Sequence, residues 1–154
     1  MRICVLLLLW FIVAVLVAGS SISLADEETI GYVKKIEQPA FVVRSGSRNP
    51  ADIGHSVFMD DVLTTGDTGA MGITFKDNTM ISIGPDTEFV VDEFVYQPRK
   101  KALSFGSQMM HGTLHYVSGT IAKLSPKSVS VKTPVGTIGI RGTRFLIKIE
   151  EDRQ

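Results

Sequence analysis

The chain has 154 residues, with 16 Lys and Arg against 16 Asp and Glu, a formal net charge of zero and a single cysteine. A balanced charge argues against nucleic acid, whose phosphates need a basic face, and gives no support for adhesion to an anionic membrane. One cysteine excludes a disulfide framework and a thiolate metal cluster, and a chain of this length is one domain able to bury its own core.

In chain order, Met1-Arg2 is a short positive start, Ile3 to Ala18 is an unbroken apolar run, and Gly19 to Ala25 is small and polar. Ser23 and Ala25 stand where a signal peptidase reads small residues, and acidic Asp26-Glu27-Glu28 follows. Residues 1–25 therefore read as a secretory signal. The alternative is an uncleaved anchor helix, for which the apolar run is shorter than the roughly 20 residues that cross a bilayer comfortably. Cys4 lies inside the run, so it is not a lipid-modified cysteine at the cleavage point. The domain then spans residues 26–154, free of cysteine, and without Arg2 it carries one excess negative charge.

Gly31 to Ile36 and Ala40 to Arg44 read as the first two strands, and Ser45 to Gly54 (SGSRNPADIG) as a surface loop rich in turn residues. Val57-Phe58 and Val62-Leu63 bracket a tight turn at Met59-Asp60-Asp61. Three alternating segments follow: Ile73 and Phe75, Ile81 and Ile83, then Phe89 and Val91, each interleaved with residues for the opposite face. Lys76-Asp77-Asn78-Thr79 and Gly84-Pro85-Asp86 separate them with turn chemistry. Gln97 to Lys101 is a basic, proline-marked loop. Ala102 to Phe105 resumes the strand pattern, Met109 to Gly119 continues it less cleanly, and Ser128 to Thr133 and Thr137 to Ile149 complete it. Sustained helical periodicity is absent after residue 26. The equal steps from Ile73 to Ile81 to Phe89 favour an all-β fold rolled or stacked from short strands, a β-roll or solenoid-like stack, with a β-sandwich as the alternative.

Two stretches carry a family likeness. DDVLTTGDTGAMGITFKDNTMISIGPDTEF resembles the core motif of the FecR-like periplasmic domain family, with Asp61, Thr65, Gly66, Phe75, Asp77, Ile83 and Pro85 at matching positions. VSVKTPVGTIGIRGTRFLIKI resembles its C-terminal signature through Thr133, Pro134, Arg141, Gly142, Thr143 and Phe145. Together the likeness covers Gly31 to Ile149. Asp60 and Asn78 replace family glycines, and both side chains tolerate positive φ, so the turns are expected to survive. Ferric-citrate-type regulators place a sigma-factor-regulating segment and a membrane helix before this domain. The leader and domain read here imply neither sigma-factor contact nor transmembrane signalling. The resemblance implies a periplasmic, non-enzymatic domain whose motif residues are mostly structural.

Candidate chemistry is sparse. His111 and His115 have the HxxxH spacing that suits zinc on a helix, but in extended chain they lie about 13 Å apart, so neither metal nor other cofactor is expected. Asp60/Asp61 and Asp92/Glu93 read as turn caps and strand neighbours rather than acid–base pairs, and no catalytic residue is assigned. Arg141 and Arg144, flanking Gly142-Thr143, are the candidate interaction residues, because guanidinium offers a planar donor fork to a carboxylate. The expectation is a secreted, periplasmic module that docks on an envelope protein, with edge strands available for strand addition. A glycan or cell-wall polysaccharide is the alternative ligand, and a small hydrolase built on the histidines a more distant one.

Overall fold

The computed structural model describes residues 28–141 and 144–150. Twelve strands run in the order β1 (Gly31–Glu37), β2 (Ala40–Arg44), β3 (Ser47–Pro50), β4 (Ser56–Val57), β5 (Val62–Thr65), β6 (Ala70–Phe75), β7 (Met80–Ile83), β8 (Glu88–Gln97), β9 (Ala102–Val117), β10 (Val129–Thr133), β11 (Gly136–Gly139) and β12 (Arg144–Ile149). A five-residue helix, α1 (Thr120–Leu124), follows β9, and short 3₁₀ turns cover Pro98–Lys100 and Pro126–Ser128. The all-β class expected from the alternating pattern is observed. The strands form one sheet, ordered β3-β2-β5-β8-β9-β7-β6-β1-β4, with β10 and β12 also on β9 and β11 outside β10, and it curls over a single core.

Strand β9 holds the sheet together because it belongs to both halves. Its first part, from Ala102 to His111, pairs antiparallel with β8 and, over Phe105 to Gln108, parallel with β10. Its last part, from Gly112 to Val117, pairs with β7 and β12. Between them the register slips: Phe89 faces Met109 but Glu88 faces His111, so Met110 is an extra residue. An extra residue in a period-two strand exchanges its faces. Phe105, Ser107 and Met109 are buried before the bulge, and Leu114 and Tyr116 after it, so both parts of β9 present side chains to the same interior. Gly112 follows at φ +100°, and a Cβ there would collide with Asp86 and Thr87. Glycine is required both for the backbone and for the close approach.

The interior is bridged by aromatic rings. Phe75 of β6 meets Phe105 edge-on with centroids 5.1 Å apart, Phe105 meets Tyr116 at 5.9 Å, and Tyr116 stacks on Phe145 of β12 at 4.8 Å. Edge-to-face and offset pairs of this kind add roughly 0.5–1.5 kcal/mol each beyond their buried area. The chain of rings ties β12 and β6 from one half to the first part of β9 in the other.

Several expectations need correction. The expected loop from Ser45 to Gly54 contains β3, a hairpin partner of β2 turned through Ser45 and Gly46, both at positive φ. All four β3 residues are exposed, so it shows no alternation to read. The two segments around Ala102 and Met109 are one strand. The run from Thr137 to Ile149 is two strands, β11 pairing with β10 and β12 with β9. The equal steps also divide: Ile73 and Ile81 are direct partners across a hairpin, whereas Phe89 crosses to the other half, opposite Leu63 and Met109.

Gly112→Ala is expected to lower the unfolding free energy by about 3 kcal/mol, since it adds both a strained φ and a steric clash. Urea denaturation followed by circular dichroism checks this, with Gly46→Ala, where nothing crowds the added methyl, costing markedly less.

Candidate functional site

The turn at residues 58–61 is held by an ion pair between a half-buried Arg44 and a buried Asp61. The Asp61 carboxylate is fully buried and accepts two hydrogen bonds from Arg44, Nε to Oδ1 and Nη2 to Oδ2, both at 2.7 Å. Oδ2 also accepts from the Phe58 backbone N–H at 2.9 Å, and Arg44 Nη2 donates to the Ser56 carbonyl at 3.0 Å. The guanidinium lies 4.1 Å from the Phe58 ring centre. A forked guanidinium–carboxylate pair with a further backbone N–H on the carboxylate is a geometry in which burial of a charge is tolerated. Asp60, one of the two glycine replacements, sits at φ +63°.

The second polar centre ties the β6–β7 hairpin to α1. Asp77 is buried; its Oδ1 accepts from the Thr79 N–H at 3.0 Å, and its Oδ2 from the Thr79 hydroxyl at 2.8 Å and the Ile121 N–H at 3.2 Å. The Asp77 carbonyl accepts from the Thr120 N–H, and Thr79 Oγ1 from the Gly119 N–H. A carboxylate from a distant turn thus fills the role of an N-cap for a helix whose own N-cap is Gly119, which makes no side-chain cap. A Cβ on Gly119 would strike the backbone of Asp77 and Thr79. Asn78, the other glycine replacement, supplies the turn at φ +64°. Burial, with the Asp77 carboxylate adding to it, pushes the Tyr116 hydroxyl beside this centre from an ordinary 10.0 up to about 12.

A third centre joins β5 to the β7–β8 connection. Thr65 donates its hydroxyl to the Gly84 carbonyl at 2.6 Å and accepts from the Thr87 N–H at 3.0 Å. Thr87 in turn donates to Gly84 and accepts from the Thr113 N–H. Gly66 donates to the Pro39 carbonyl and accepts from the Asp86 N–H. Pro85 is exposed within this turn. Asp61, Thr65, Gly66, Asp77, Asn78 and Pro85 therefore all stand at strand ends and turns, where they join segments of the chain to one another.

The C-terminal signature is more dispersed. Thr133 donates its hydroxyl to the Gly136 carbonyl at 2.8 Å and closes the β10–β11 turn; Pro134 is exposed there. Arg141 lines a cleft of about 370 Å³ with Pro126, Lys127, Val129, Gly139 and Ile140. Arg144 is exposed at the start of β12, opposite Val117, and takes no part in that cleft. Phe145 stacks on Tyr116. Gly142 and Thr143 lie outside the described residues, as do the leader residues 1–25.

The expected chemical candidates lie apart. His111 Nδ1 lies 2.6 Å from the Asp86 carbonyl oxygen, while His115 is exposed between Ser82 and Leu146. Among the described residues no three of His, Cys, Asp and Glu come together as metal ligands. Asp92 and Glu93 diverge at a second β8–β9 irregularity. Burial by itself raises the Asp92 carboxyl, but hydrogen bonds from Lys132 and Gln108, both 2.7 Å, outweigh it and hold the group below its ordinary value. Sequence reasoning missed Arg44, Thr87, Gly119 and the Lys132–Asp92 pair, because each acts through a partner far away in the chain.

Two outcomes test these centres. Asp77→Ala leaves buried N–H groups of Thr79 and Ile121 unpaired and is expected to cost about 3 kcal/mol in urea denaturation, with Asp77→Asn recovering part. Tyr116 has a raised folded pKa, so its contribution is complete below pH 10 and is lost as pH rises toward 12. The wild type is expected to lose on the order of 2 kcal/mol more than Tyr116→Phe over that interval, as measured by alkaline unfolding of both chains.

The family model described as FecR protein matches residues 61–154, a span that starts at the buried Asp61 and takes in the second and third polar centres. No curated protein and no solved structure matches the chain. With more than half of its length matched, the chain belongs to the FecR protein family.

Proposed function

We propose that this protein is a secreted, periplasmic binding module that docks on an envelope protein by accepting an extended segment of that partner along β11. Family membership supports a signalling-related periplasmic domain in general, of a non-enzymatic, regulatory kind. The observation that carries the docking reading is the β11 edge. Its four residues are all exposed, its strand partner among the described residues is β10, and Val135 at the turn is 92% exposed. An open edge offers unpaired backbone groups for strand addition. The adjoining cleft carries Lys127 and Arg141 beside apolar Val129 and Ile140, which suits an extended peptide with an acidic side chain over the cleft.

A second groove favours the glycan reading. Phe58, Phe94 and Tyr96 line about 550 Å³ of space together with Asp60 and Gln97, offering ring faces beside polar groups. Phe94 and Phe58 are also held by packing, Phe94 against Phe105 and Phe58 under Arg44, which leaves Tyr96 as the main ring for stacking.

The experiment is a crosslinking pull-down from the envelope fraction with the wild type and with Lys127→Glu/Arg141→Glu. The expected result is a specific protein partner whose capture falls on the order of tenfold in the folded double variant, in line with charge reversal at an interface. Capture that the variant leaves undiminished overturns the β11 site, and retention on isolated cell wall without a protein partner replaces it with the glycan reading.

A further inference from the structure

Strand β12 is the last strand of its half, and among the described residues its strand partner is β9 alone. Its faces alternate cleanly. Arg144, Leu146 and Lys148 point outward with Glu150 just beyond the strand, Leu146 being 67% exposed, while Phe145, Ile147 and Ile149 lie half-buried against the core. Among the described residues no strand lies beyond β12, and its inner residues are only half covered.

We infer that β12 pairs antiparallel with β12 of a second copy, across a two-fold axis through Ile147. Strand pairing must keep inner residues against inner and outer against outer, so the axis must pass through a residue and not between two. Centring on Leu146 sets Arg144 against Lys148, and centring on Lys148 sets that lysine against its own copy. Like charges directly opposed are destabilising. Centring on Ile147 sets Arg144 against Glu150 at both ends, Leu146 against the aliphatic stem of Lys148, Phe145 against Ile149, and Ile147 against itself. Opposite charges meet and the apolar row continues into the partner. Glu150 is already 2.8 Å from Lys148 of its own chain, and in the pair it stands between that lysine and the partner's Arg144. The charges that commonly guard a free edge here reject the registers on either side of the one centred on Ile147, which is also the one that pairs the whole span from Arg144 to Glu150. The result is an isologous contact that closes after two copies, on a different strand from the β11 edge and independent of it.

Sedimentation equilibrium of the purified protein at low salt, repeated at high salt, tests the pairing. A reversible dimer is expected, and the single reversals Arg144→Glu and Glu150→Arg are each expected to weaken it on the order of tenfold, because each places like charges at both ends of the pair. The exchanged chain Arg144→Glu/Glu150→Arg is expected to recover wild-type affinity to within about threefold. All of these changes fall on exposed side chains, and recovery by the exchanged chain shows that the singles fail through charge and not through misfolding. A wild type that stays monomeric overturns the inference, as does a dimer that neither reversal weakens or an exchanged chain that does not recover.

Discussion

A strand shared by two halves of a curled sheet has to face the same interior from both, and a strict period of two does not allow this once the sheet turns. Strand β9 meets the constraint with one extra residue at Met110 and a glycine two positions on, which move the inward set from Phe105, Ser107 and Met109 to Leu114 and Tyr116. Four strands hang on β9, and the ring chain from Phe75 through Phe105 and Tyr116 to Phe145 depends on both of its parts facing inward. The bulge is the condition under which one core exists at all.

The polar motif residues answer a related need. A curled sheet of short strands has many ends, and each end exposes backbone groups that must be paired when the end is buried. Asp61, Asp77 and Thr65 are the small acceptors that do this, together with Thr87 from outside the motif, and each spans two or three chain segments. Residues of the core motif thus meet a demand of the fold itself, and the surfaces proposed above for interaction are the β11 and β12 edges. The β11 edge, with its basic cleft, and the β12 edge, with its self-complementary charge order, differ in what they can accept, so binding a partner and pairing with a second copy need not compete.

Much of the fold was legible because the signals were local. Alternation placed β1, β2, β6, β7 and the start of β8, and the positive-φ tolerance of Asp60 and Asn78 marked two turns that the structure places at φ +63° and +64°. Strand β3 was not legible, since Ser47 to Pro50 is exposed on both faces and its strand character comes wholly from pairing with β2. The split between β11 and β12 left one local mark, since the apolar positions change phase from Ile138 and Ile140 to Phe145, Ile147 and Ile149, but the different strand partners on either side of it were not legible. Arg141 and Arg144, read from the sequence as one candidate site, lie apart in the structure, Arg141 in the cleft beside β11 and Arg144 at the start of β12.

The sequence by itself determined the all-β class, the turn positions and the absence of a cysteine framework, because these follow from side-chain periodicity, backbone preference and composition within a few residues. The tertiary structure alone decided which strands pair, that Asp77 caps a helix 44 residues away, that Arg44 neutralises Asp61, and which edges stay open. Those depend on register between distant segments, and a period of two fixes which way a side chain faces without fixing what lies opposite it.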